Sequence, residues 1–167
     1  MWSLLKPSKN CKKSGQILIE TAIVLPALII LTLGVIDLVR MLYVYEGLTG
    51  GVREGARYFI SQPTPSGTPP VDPTPTAKQR VVSYFNNDPI GGNGRFGCVL
   101  QTSDVLVTNT STGVTPPSVA NWPGVGDMIR FRATTNVPLL IGGFFGLFGS
   151  TGSISLGSEI QMSYLGV

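Results

Sequence analysis

Ile17 to Ile36 is a 20-residue run interrupted only by Glu20, Thr21, Pro26, Thr32 and Gly34, and no other feature restricts the folding of this chain as much. As an α-helix it would be about 30 Å long, the thickness of a bilayer's hydrocarbon core. Lys6, Lys9, Lys12 and Lys13 precede it with no acidic residue among them, and Asp37 and Arg40 follow it. That distribution predicts a cytoplasmic N-terminus, with everything beyond the span outside the cytoplasm. A cleaved secretory signal has an apolar core of about 7–15 residues and an A-x-A-like exit. Here the run is longer, and Leu31 to Asp37 offers no such exit. A buried helix of a soluble protein would leave the cationic leader unexplained, so a retained single-pass anchor is expected.

Charge and composition remove several functions. Four of the 12 Lys and Arg residues are those leader lysines, which leaves eight bases against nine Asp and Glu. The net charge of +3 is therefore a targeting feature, and nucleic acid is not an expected partner. The chain has no His, the commonest general base and metal ligand. Its two cysteines, Cys11 and Cys98, cannot form a disulfide framework, and Cys98 lacks a His for a nucleophile–base pair. Asp104, Asp127 and Glu159 are scattered. No catalytic residue, cofactor, metal or small-molecule substrate is expected.

Glu20 is the anomaly of the span, because an ionisable group at membrane depth costs several kcal/mol (roughly) unless it finds a partner, the alternative being that it sits near enough to the interface to stay hydrated. The residues before it read Lys12-Lys13-Ser14-Gly15-Gln16-Ile17-Leu18-Ile19-Glu20. A basic leader ending in Gly, with Glu five positions later and an apolar helix continuing, resembles a type IV pilin-like (class III) signal. The resemblance implies that a prepilin peptidase cuts between Gly15 and Gln16 and that the helix remains as anchor and assembly stem. The new α-amine of Gln16 would lie four residues from Glu20 on the same helical face. Carboxylate and ammonium would then compensate each other, within one subunit or between neighbours.

The likeness extends further. Glu20-Thr-Ala-Ile-Val-Leu-Pro-Ala-Leu28, Gly34-Val-Ile-Asp37-Leu-Val-Arg40 and Arg53-Glu-Gly-Ala-Arg57 resemble the TadE-like family, minor pilins or pseudopilins of the bacterial tight-adherence (Flp-type) pilus apparatus. The family implies a bacterial inner-membrane location, possible incorporation in a pilus, and other pilin-like or pilus-assembly subunits as partners.

Beyond the span, Leu38, Met41, Leu42, Tyr45, Leu48, Val52, Ala56 and Phe59 recur at three- and four-residue steps, predicting an amphipathic continuation. One helix from about residue 17 to 60 is expected, its outer half lying against a sheet. Asp37, Arg40, Glu46, Arg53, Glu54 and Arg57 fall on the remaining, polar face. Ser61 to Thr76 holds six prolines and reads as an extended connector. Thr76-x-x-Gln79 reads as a capping box opening a short helix to about Asn86. Gly92-x-Gly94-x-x-Gly97 matches a dinucleotide fingerprint in letters only; without a strand before it and a helix after it, it is a turn.

Cys98–Gln101, Asp104–Thr108 and Met128–Thr135 read as strands. In the last strand Ile154, Leu156, Ile160, Met162 and Tyr164 alternate with polar or small residues, the period of a half-buried sheet. Val137 to Phe148 is too short to span a bilayer yet strongly apolar. Leu139, Leu140, Phe144, Phe145 and Phe148 are thus candidates for contact with the membrane surface or a neighbouring subunit, against the alternative that they complete the core.

The expected architecture is α+β, a pilin-like stem helix packed on a small antiparallel sheet. Its parts are a leader (1–15), a span and stem (16–60, crossing the membrane at about 17–36), a connector (61–76) and an extracytoplasmic domain (77–167). A structural pilus-assembly subunit is the expected function. The rival is a membrane-anchored module that binds a polysaccharide or surface protein.

Overall fold

The computed structural model describes residues 11–62, 72–87, 94–114, 122–145 and 152–165. Helix α1 runs from Cys11 to Ile60, helix α2 from Thr74 to Asn86, and a 3-10 turn from Thr102 to Asp104 leads into strand β1, Val105–Asn109. Strand β2, Met128–Pro138, short helix α3, Leu140–Phe145, and strand β3, Ser153–Ser163, complete the order. The strands form one antiparallel sheet in the order β1-β2-β3. Helix α1 lies across β2 and β3, while α2 packs beside α1 and reaches β1. The fold is α+β, a long apolar helix packed on a small antiparallel sheet.

The strands follow the period-two reading, because one sheet face is covered by helices and the other is wet. Val105 and Val107 of β1, and Ile129, Phe131, Ala133 and Val137 of β2, are buried against Val44, Leu48, Val52, Ala56 and Phe59 of α1 and Ala77, Val81 and Phe85 of α2. Ser158 faces inward among the apolar positions of β3 and is satisfied by Thr49, whose hydroxyl oxygen lies 3.1 Å from its own. Strand β2 runs three residues beyond its expected end because it pairs with β3 along its whole length, from Met128↔Ser163 to Pro138↔Ser153.

Close approach of the two helices depends on glycine. A Cβ at Gly55 would run into Val81 Cγ2 and lie 3.0 Å from the Ala77 carbonyl oxygen; one at Gly51 would lie 3.0 Å from the Val81 carbonyl oxygen. The bare backbone of α1 is the surface on which α2 sits, so α1 stays helical despite the helix-weakening residues.

Four local expectations are corrected. The long helix, described from Cys11, already includes residues ahead of 17, so Gly15 and Gln16 are helical. Helix α2 starts at Thr74, two residues before the supposed capping box. Its N-terminus is held by the Asp72 carboxylate, which accepts from the Thr74 N–H at 2.8 Å, and Pro75 occupies the first turn, where no N–H is needed. Cys98–Gln101 is not a strand. Cys98 makes one isolated bridge to Arg95, and the Asn86 side-chain amide takes both backbone groups of Leu100, accepting from its N–H at 3.0 Å and donating to its carbonyl at 2.9 Å. A side chain thus replaces the strand neighbour, while Cys98 and Leu100 are buried and Val99 is exposed. Asp104 belongs to the 3-10 turn, and β1 begins one residue later.

The turn reading of the glycine-rich segment holds where it is described: Gly94 and Gly97 have φ of +82° and +77°, and Phe96 has φ of 51°. At the far end of the domain, Tyr164 donates its hydroxyl to the Gln62 carbonyl at 2.8 Å and accepts from Trp122 Nε1 at 2.9 Å, beside Phe59. The Asp127 carboxylate accepts from Asn109 Nδ2 at 3.0 Å and Gly124 N–H at 2.9 Å, and these bonds hold its pKa below the usual value.

Candidate functional site

Two regions of α1 carry the candidate function: the apolar segment around Glu20 and the junction at which α1 meets the outer domain. In the first, Ile17, Leu18, Ile19, Ile23, Val24, Leu25 and Leu28 are all more than half exposed. Gly15, Gln16 and Glu20 lie on this same exposed stretch. A Cβ at Gly15 would touch nothing within 4 Å among the described residues. Gln16 and Glu20 are one helical turn apart, as their spacing required. The helix is long and apolar enough to cross a membrane, consistent with single-pass anchoring.

The second region departs from the sequence reading. Asp37, assigned to the polar face, is 3% exposed. Its carboxylate accepts from the backbone N–H groups of Leu140 and Ile141, each at 3.0 Å, and from Arg40 Nη1 at 3.3 Å. Arg40 also donates to the Pro138 carbonyl at 3.4 Å and stands over the Phe96 ring at 5.6 Å. Burial alone would raise the Asp37 pKa, but the two backbone N–H groups and Arg40 together outweigh it and hold the carboxyl below its usual range. Asp37 therefore closes the first turn of α3 with a charge, tying the end of β2 to the stem. Its two backbone partners lie more than 100 positions away along the chain, so no local pattern announces the contact. A lone acid one residue past an apolar span was the available signal.

The same docking shifts the apolar stripe. Leu48, Val52, Ala56 and Phe59 are fully buried and Met41 partly so, but Leu38, Leu42 and Tyr45 are 56%, 56% and 47% exposed. Val44 and Asp37 occupy the buried side in their place. The exposed residues prolong the apolar surface of Leu31 and Val35 along one face.

Of the other candidates, Leu139 is partly buried and Leu140 is exposed at the start of α3. Phe144 and Phe145 belong to the α3 backbone, but their side chains, and the whole of Phe148, lie outside the described residues. Among the described residues no three acidic or thiol side chains gather closely enough to hold a metal ion. Cys98 is buried, and desolvation raises its thiol pKa against a smaller opposing effect of Arg40. An open groove of about 510 Å³ lies between the start of α2 and the 3-10 turn, lined by residues such as Asp72, Lys78 and Ser103, away from the sheet strands and the glycine-rich turn.

Residues 15–57 match the family model of the TadE-like proteins. The match begins at Gly15, includes Glu20 and Asp37, and ends on the Arg-Glu-Gly-Ala-Arg string. It covers the stem helix and leaves the sheet outside. The apolar helix and this family match together fit a membrane protein associated with a Tad-type pilus. No curated protein and no solved structure matches the chain.

Proposed function

We propose that this protein is a structural subunit of a Tad-type pilus or related secretion assembly, a minor pilin or pseudopilin rather than an enzyme. The observation that carries this reading is the length of exposed apolar helix. From Ile17 to Tyr45 one side of α1 presents exposed large apolar residues over about 42 Å, whereas a bilayer's hydrocarbon core is about 30 Å thick. Roughly two helical turns, around Leu38, Leu42 and Tyr45, are therefore left for another apolar surface to cover. The stem of a neighbouring pilin-like subunit has the right shape and chemistry for it.

In this reading the lysine-rich leader stays in the cytoplasm, and α1 crosses the inner membrane once, placing the sheet domain outside. A prepilin peptidase cleaves between Gly15 and Gln16. The freed Gln16 ammonium and the Glu20 carboxylate compensate each other across or within subunits, which sets the register of the stems. A side-chain photocrosslinker at Leu42, in cells with an active peptidase, should capture other pilin-like subunits. Intact mass should show loss of residues 1–15, and Gly15→Val should retain them. A native protein that still begins at Met1, or that crosslinks only to an extracellular polysaccharide or surface protein, would refute the proposal and favour a membrane-anchored binding module.

A further inference from the structure

The longest uncharged stretch in the chain is Ala133 to Ser158, which holds no Asp, Glu, Lys or Arg. It includes the ends of β2 and β3 nearest the membrane helix, together with α3. The charges of the sheet, Arg130, Arg132 and Glu159, all lie toward its other end. That polarity has a direction relative to the stem. Pro138 pairs with Ser153 and accepts from Arg40, beside Asp37 in the stem, whereas Trp122 and Tyr164 close the opposite end on Phe59, about 33 Å farther along the helix than Asp37.

The uncharged end descends alongside the apolar span. Ile141 Cδ1 lies 3.5 Å from the position of a Cβ on Gly34, a residue of the span itself and one turn below Asp37. Leu140 and Ile154 are 45% and 39% exposed at this end, and the bond from Leu140 N–H to Asp37 sets Leu140 beside exposed Val35 and Ile36 of α1. The backbone there is prepared for an environment without water: Leu139 N–H donates to the Gly152 carbonyl at 3.0 Å, and the next two N–H groups donate to Asp37. Unsatisfied N–H groups at this depth would each cost several kcal/mol (roughly) in hydrocarbon.

We propose that residues 139–141 and α3 form a membrane foot, lodged in the outer interface of the bilayer beside the span and clamped to the stem by Asp37. The occupant of this surface is lipid, because the exposed side chains continue the apolar surface that the anchor presents to lipid at the same depth. Two points of contact, span and foot, fix the height and tilt of the outer domain above the membrane. This inference rests on the membrane anchoring proposed above.

The test uses the full chain in phosphatidylcholine vesicles containing chain-brominated lipid, with the fluorescence of Trp2 and Trp122 subtracted from that of each variant. Ile23→Trp reports the span, Leu140→Trp and Ile154→Trp report the foot, and Val125→Trp, at an exposed site on the far end, is the control. Quenching at Leu140 and Ile154 of at least about half that at Ile23, with none at Val125, is the expected result. If Ile23→Trp is quenched while both foot variants match Val125→Trp, the foot is overturned, a neighbouring protein is the better occupant, and the anchor stands. Absence of quenching at Ile23 overturns the anchor itself. Equal quenching at Val125 and Leu140 also overturns the foot, since the domain would then lie flat on the surface.

Discussion

Replacing Asp37 by alanine should release α3 from the stem while leaving the rest of the domain folded. The substitution removes the acceptor of two backbone N–H bonds and of the Arg40 guanidinium. Each charge-assisted hydrogen bond contributes about 1.5–3 kcal/mol. The three are not additive, because Arg40 keeps the Pro138 carbonyl and the freed N–H groups can be reached by water on opening. A local loss of about 2–4 kcal/mol is expected, which corresponds to roughly 30- to 900-fold faster exchange of the amides it protects. The assay is hydrogen exchange of the full chain in lipid nanodiscs, read at Leu140 and Ile141 and, as an internal reference, at Ile129 and Phe131 in β2. Asp37→Asn, which keeps one acceptor oxygen, should fall between wild type and alanine. The pH dependence has a definite sign. The folded carboxyl has a lowered pKa, so its contribution is fully present above the unfolded value of about 3.9 and is lost as pH falls through the folded one. Unchanged exchange at Leu140 and Ile141 in Asp37→Ala, or equal acceleration throughout β2, would refute the clamp.

Gly55→Val should push α2 away from α1, because its side chain would collide with Val81 beneath the Ala77 carbonyl; a loss of about 1–3 kcal/mol, several degrees in Tm, is expected in detergent micelles. Gly15→Ala, on open helix surface, should leave Tm unchanged, and a Gly55→Val protein as stable as wild type would show that the helices can part at little cost. Cys98, buried and with a raised pKa, should resist iodoacetamide at pH 8 until the domain is unfolded; rapid labelling of Cys98 in the native protein, distinguished from Cys11 by peptide mass, would contradict the packing. Glu20→Ala should insert at least as well as wild type, since a lone carboxylate opposes insertion, but it should lose crosslinking to other pilin-like subunits. Unchanged crosslinking at equal abundance would remove Glu20 from the assembly interface.

The elements were legible in the sequence wherever a residue's role depends on near neighbours. An apolar run of bilayer length dictates a helix whatever surrounds it, and the alternation of β2 and β3 dictates a half-buried sheet. The α+β class, the end of α2 and most of the buried sheet face follow from those periods alone. The stem candidates also depend on local order, since Gly15, Gln16 and Glu20 are neighbours on one helix. Tertiary structure decided what the periods left open. The stripe Leu38, Leu42 and Tyr45 has the spacing of a buried face, but helical periodicity specifies only that a face is apolar and not what covers it. The outer domain approaches from the side of Asp37, Val44 and Leu48, so the stripe stays exposed. Cys98–Gln101 has the apolar, β-branched character of a strand, yet the Asn86 amide satisfies Leu100 from another element and no strand neighbour is required. Asp37 looked like a surface acid because its partners, Leu140 and Ile141, are remote in sequence. Only the folding of β2 back toward the membrane end of the stem brings two unpaired N–H groups to that carboxylate, and burial with full hydrogen bonding follows from that meeting.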